Sequence, residues 1–186
     1  MGLPGSGKST VGRQLARRLS AHFVDSDQLI EQRLGCSIRE YFEREGEDAF
    51  RDVEQAVLHD AVTEAVHSVG QQVVLSTGGG SVLRLANRQL LKQYAKVVYL
   101  RATPEDLYRR LKHDRNRPLL QTGDPLQRLR DLYAQRNPLY QETAHFQMET
   151  GRPSVAMLVN MIVMQLEMAG GNLPMPNASG PITVDQ

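Results

Sequence analysis

Tryptophan is absent and cysteine occurs once, at Cys36. A single thiol closes no internal disulfide, so a disulfide framework is excluded and a reducing, cytoplasmic setting is the expectation. His22, His59, His67, His113 and His145 do not fall at ligand spacings, and with one thiol beside them no zinc site is expected. No apolar run reaches the length of a membrane span, and no stretch has the form of a signal peptide. Charge of either sign is nowhere massed. The 22 Lys and Arg nearly cancel the 21 Asp and Glu, leaving a formal +1. Because they are scattered through amphipathic segments, a nucleic-acid face is not expected and any anion site has to be local. What is present, 186 residues of which 40% are hydrophobic, suffices for one soluble domain with one core.

The strongest positive signal is Gly2-Leu3-Pro4-Gly5-Ser6-Gly7-Lys8-Ser9. It satisfies G-x-x-x-x-G-K-S/T, in which small residues let successive backbone N–H groups curl around phosphate oxygens. Lys8 adds a positive charge, and the Ser9 hydroxyl is placed to ligate Mg²⁺. Gly5 and Gly7 permit close backbone approach, and a helix that starts inside the loop turns its positive end toward the phosphates. Gly5, Ser6, Gly7, Lys8, Ser9 and Thr10 are therefore the candidate nucleotide-binding residues, and ATP is the implied ligand.

Periodicity organises the rest. Val11, Leu15 and Leu19 mark a helix from Ser9 to Ser20, and residues 22–24 a short strand ending in Asp25-Ser26-Asp27. A helix through Ile30 stops near Gly35, and Ser37-Ile38-Arg39-Glu40 has the form of a capping box opening a short helix to about Arg44. An amphipathic helix runs from Glu47 to about Ser68. Residues 72–76 and 97–100 read as strands, each followed by a helix, and residues 125–135 as a further helix. Residues 146–148 read as a last strand, and residues 154–168 as a helix whose stripe Met157, Met161, Met164 and Met168 reads as core or contact surface. Alternating strands and helices with short loops specify an α/β fold, a parallel sheet covered on both faces. Residues 169–186, rich in Gly and Pro, read as a disordered tail.

Asp25 and Asp27 stand at the carboxyl end of a strand, where open α/β sheets bind their ligands. Strand alternation predicts that both point the same way, toward the phosphate loop. One carboxylate would help to hold Mg²⁺ and the other would receive a substrate hydroxyl, the alternative being an Asp that caps the next helix.

In order and spacing, GLPGSGKST, DSD, FRDVE (residues 50–54), TGGGSV (77–82), RPLL (117–120) and RNPLY (136–140) resemble shikimate kinase over residues 1–168. The resemblance implies a three-layer P-loop fold with five parallel strands, a substrate-binding region at about 26–62 and a lid at about 113–124. It implies transfer of a phosphoryl group from ATP, with Mg²⁺, to the 3-hydroxyl of shikimate by a cytoplasmic monomer without nucleic-acid or membrane partners. Arg51 and Arg136 match arginines that hold the substrate carboxylate, Asp27 the residue that binds ring hydroxyls and accepts the proton, and Gly79 a backbone donor to the substrate. Glu54 is an i,i+3 partner able to orient Arg51. Arg117 matches the lid arginine over the phosphates, and Arg110 a residue lying against adenine. Lys8, Asp27 and Arg117 are thus the implied catalytic residues, and Ser9 with Asp25 the metal ligands.

A phosphate loop of this kind should follow a buried strand, yet Met1 alone precedes it. The expectation is that the natural protein starts a few residues upstream with the central strand of the sheet, of which Met1 is the last residue, and that a chain lacking it folds poorly and binds ATP weakly. The competing functions are a related kinase for another polyol acid such as gluconate, and a non-catalytic nucleotide-binding module.

Overall fold

The computed structural model describes residues 1–68, 70–112 and 124–170. In chain order these form α1 (Lys8–Leu19), β1 (His22–Asp25), α2 (Ser26–Leu34), α3 (Ile38–His67), β2 (Val73–Ser76), a 3-10 turn (Ser81–Leu83), α4 (Leu85–Tyr94), β3 (Val98–Arg101), α5 (Pro104–Leu111), α6 (Pro125–Thr143), β4 (Phe146–Glu149) and α7 (Val155–Ala169). Of the proposed lid only Asp124 is described, and Arg117 and residues 171–186 of the proposed tail lie outside the described residues.

Local chemistry sets the boundaries. Gly7, at φ 91°, lets the chain turn directly from the loop into α1, and Gly35, at φ 67°, ends α2. Ser37 and Glu40 complete the capping box with reciprocal bonds of 3.2 and 2.9 Å. α3 is two helices joined at Gly46, whose φ of 85° breaks the helical path between the two predicted segments. α6 is longer than predicted. It runs through Pro138 to Thr143, so the whole of residues 136–140 is helical. A proline inside a helix forfeits one backbone bond, and here burial of Leu129, Tyr140 and Thr143 holds the helix on either side of it.

All pairing is parallel, β1 with β2 and β3 with β4, Asp25 lying beside Ser76 and Leu100 beside Met148. Alternation divides the two faces. Val74, Val98, Leu100 and Met148 pack with Val11 and Leu15 of α1 and with Leu158, Val159 and Ile162 of α7. Leu75 and Val97 meet Leu58 and Val62 of α3 and Leu90 and Leu91 of α4, and Tyr99 meets Leu107, Leu129 and Tyr140 of α5 and α6. The three layers are those expected of the sequence, but the described strands form two two-stranded sheets rather than one continuous sheet. The Met stripe of α7 is not core. Met157, Met161, Met164 and Met168 are exposed because the opposite side of the helix, Leu158 to Val163, is the one that docks. Among the described residues no helix is long and apolar enough to cross a membrane.

Candidate active site

The carboxyl ends of β1 and β2 and the loop before α1 converge, as ligand sites in open parallel sheets do. In the loop, Gly5 and Gly7 have φ of 83° and 91°, and the Ser6 N–H closes a turn on the Leu3 carbonyl at 3.1 Å. α1 starts at Lys8 with no side-chain cap. Its first-turn N–H groups are thus available to an anion, and the helix dipole favours one. Lys8 Nζ donates to the Leu3 carbonyl at 3.0 Å, so its ammonium lies over the same loop.

Ser9 Oγ donates to Asp25 Oδ2 at 2.9 Å, bringing together the two residues predicted to hold a metal. An oxygen pair of this kind suits Mg²⁺, which takes few protein ligands and completes its shell with phosphate and water. No cluster of three or more His, Cys, Asp or Glu able to hold a metal occurs among the described residues, so Ser9 and Asp25 fit Mg²⁺ that arrives with a nucleotide.

The prediction that Asp25 and Asp27 project from one extended strand is corrected. The strand ends at Asp25, and Asp25 Oδ1 accepts the Asp27 N–H at 3.1 Å as the N-cap of α2. Capping removes Asp27 from the strand, so helical geometry, not alternation, sets its direction. It still reaches the site. A methyl group built at Gly78 would meet Asp27 Oδ1 at 2.8 Å and Glu54 Oε1 at 3.0 Å, so the two carboxylates flank that glycine. The Asp27 carboxyl is pushed up to about 6, first by withdrawal from water and then by the neighbouring Asp25 charge, while Lys8 opposes the rise.

Arg51 is held on two sides. Its Nη1 donates to the buried Glu54 carboxylate at 2.6 Å, and its Nη2 to Glu47 at 3.2 Å. The guanidinium lies against Gly80, where any β-carbon would collide with it. Arg136, on α6, keeps a buried Nε that meets no acceptor among the described residues. A buried guanidinium N–H without a partner is costly, and a substrate carboxylate would satisfy it. Arg110 is occupied otherwise, bonding the backbone carbonyl and hydroxyl of Thr150 just beyond β4.

Two supporting residues escaped the sequence reading. Ser26, buried at the start of α2, accepts the Gly78 N–H at 3.0 Å and ties the end of β1 to the glycine triplet. Tyr140, fully buried, donates its hydroxyl to the Gly79 carbonyl at 2.5 Å and stacks on Tyr99 with ring centroids 4.8 Å apart. Burial pushes its phenol up to about 12, so it remains a proton donor at any working pH. The only sequence signal for Tyr140 was its place at the end of RNPLY; nothing local pointed to Gly79, 61 residues away.

Residues 4–167 match the family described as shikimate kinase. A shikimate kinase of Paracidovorax citrulli is 56% identical over 177 residues, covering 95% of this chain and 94% of its own length. One of Ralstonia nicotianae is 55% identical over 181 residues, 97% of this chain and 92% of its own. Among solved structures, a shikimate kinase from Acinetobacter baumannii in complex with shikimate superposes with a TM-score of 0.81 at 41% identity, over 93% of this chain and 92% of that one. A gluconokinase from Sinorhizobium meliloti, at TM-score 0.57 and 18% identity over 92% and 91% of the two chains, shares the fold.

Proposed function

The chain belongs to the shikimate kinase family, and on that premise we propose how its own residues move a phosphoryl group from ATP to the 3-hydroxyl of shikimate. Phosphoryl transfer asks little covalent chemistry of a protein, because the transition state spreads charge over the equatorial oxygens and is served by positioning and counter-charge. The uncapped start of α1 and Lys8 hold the phosphates. Asp27 aims the attacking hydroxyl and takes its proton. Arg51 and Arg136 hold the shikimate carboxylate as guanidinium forks, and the Gly79 N–H is assigned to the substrate. Mg²⁺ held through Ser9 and Asp25 would neutralise charge on the phosphates. On sequence alone, Arg117 is assigned to the phosphates and Arg110 to adenine. ATP as co-substrate fits a cytoplasmic setting, and a monomer without nucleic-acid or membrane partners completes the reading.

The observation that carries this assignment is the convergence of Asp27, Glu54 and Arg51 on Gly78 and Gly80 beside the phosphate loop. An acid-binding arginine then faces a proton acceptor across a span suited to a small hydroxy acid. Coupled ADP release with shikimate, quinate and gluconate as acceptors tests it. Turnover of shikimate is expected to dominate; preference for gluconate, or ATP binding without turnover of any acid, would overturn it.

Two variants probe the supporting residues. Tyr140→Phe removes the only side-chain donor seen on the Gly79 carbonyl among the described residues. The loss of one buried hydrogen bond is expected to raise the KM for shikimate about tenfold while leaving that for ATP unchanged. An equal change in both would mean general loosening. Glu54→Ala strands the Arg51 guanidinium, whose side chain is 11% exposed. It is expected to destabilise the protein by about 3–5 kcal/mol in chemical denaturation and to raise the KM for shikimate. Unchanged stability would deny the ion pair its structural role.

A further inference from the structure

β2 and β3 face one another across a cavity of about 690 Å³, and among the described residues neither pairs with the other. Val11 and Leu15 of α1 with Ile162 of α7 line one side, and Val62 of α3 with Leu91 of α4 the other. Met1 enters this slot at one end. Its amino group donates to the Val98 carbonyl at 2.8 Å, and the Leu100 N–H donates to the Met1 carbonyl at 2.9 Å. Bonds to the residues on either side of Tyr99 are the pattern of parallel pairing, so Met1 already sits as one strand residue added to β3.

We propose that the slot is a strand-acceptor site, filled by an extended, uniformly apolar segment of about four residues joined to the Met1 amino group and paired in parallel with both β2 and β3. Direction follows from the two Met1 bonds. Length follows from β2 and β3, four residues each, or about 13 Å at roughly 3.3 Å per residue. Composition follows from the walls, since a strand covered by helices on both faces is apolar at every position rather than at alternate ones. The amino group is itself out of place there: burial lowers its pKa to about 5, whereas a peptide N–H would make the same bond to Val98 without a charge. Two bare strand edges lining an apolar cavity also invite pairing with any extended chain. The consequence for function is direct. Met1 leads into Gly2–Lys8, so pairing the residues before it would clamp the entry to the phosphate loop.

The test needs no catalytic readout, so its failure is separate from failure of the kinase assignment. The chain is extended ahead of Met1 by valine-isoleucine-valine-leucine, by glycine-serine-glycine-serine, or by valine-proline-valine-proline. The first is expected to raise the Tm by more than about 10 °C over both others and to protect the amides of Val74, Leu75, Val98 and Tyr99 from hydrogen exchange at the mass of a single chain. Melting within about 2 °C of the glycine-serine form, an equal gain from the proline form, or protection found only in a dimer by sedimentation would each overturn the proposal. Should the first extension aggregate, acetyl-lysine-lysine-valine-isoleucine-valine-leucine amide added in trans decides it, by saturable protection of the same amides or by none.

Discussion

Lys8→Ala is expected to lower kcat for shikimate phosphorylation by about 10³-fold, the scale of cationic groups that stabilise a transferring phosphoryl. At about 1.36 kcal/mol per decade this is a transition-state loss of roughly 4 kcal/mol. The reason lies in the geometry of the loop. Lys8 is the first residue of α1, and its ammonium rests on the Leu3 carbonyl at 3.0 Å. From there it needs only a short movement to reach the β- and γ-phosphates of a nucleotide seated on the helix start. Steady-state rates at saturating ATP and shikimate, with thermal melting as a control, check this. The variant is expected to melt near the parent, because an exchange of one carbonyl contact is worth about 1 kcal/mol. Turnover within tenfold of the parent would remove Lys8 from the machinery. Lys8→Arg is not expected to restore the rate, since a planar fork does not replace a compact point charge.

Asp27→Asn is expected to lower kcat by about 10²- to 10⁴-fold, the range for a positioned general base. The same residue sets a pH signature. Its carboxyl is pushed up to about 6 by withdrawal from water, with Asp25, Glu54 and Glu31 adding to the rise and Lys8 opposing it. Below that pH it is protonated and cannot accept the hydroxyl proton, so kcat/KM is expected to fall tenfold per pH unit below about 6 and to level off above it. The limb should vanish in Asp27→Asn and move to lower pH in Asp25→Asn, which removes the neighbouring negative charge. A parent limb near pH 4, or one that survives in Asp27→Asn, would reject the assignment. Stability runs the other way from activity. The folded carboxyl holds its proton above the ordinary value of 3.8, so its contribution to stability is present below about pH 4 and is lost as pH rises through about 6. Because Asp27 keeps solvent-exposed surface, its titration bears on catalysis more than on folding.

Much of the site was legible in the sequence where the governing chemistry is short-range. The phosphate loop is a contiguous run whose glycines adopt positive φ, and the Ser37–Glu40 box and the Arg51–Glu54 pair each span three residues. Helix geometry alone brings an i,i+3 pair together. The Asp25–Asp27 prediction failed on a short-range competition, because a side-chain cap ended the strand sooner than alternation allowed. The reach of α6 was underestimated because Pro138 reads as a helix breaker in isolation. The burial of Tyr140, which outweighs one lost backbone bond, is a property of packing.

The sequence by itself determined the order of strands and helices, the nucleotide loop and the shikimate kinase family, because each rests on residues adjacent in the chain. Only the tertiary structure decided that Ser26 would anchor Gly78 and Tyr140 would anchor Gly79, contacts spanning 52 and 61 positions. It alone decided that Arg51 would lie against Gly80 and that β2 and β3 would stand apart around an apolar slot. No periodicity encodes which distant backbone group a side chain meets; packing of the helices on the two sheet faces sets that, by aligning surfaces that each segment presents without knowledge of the other.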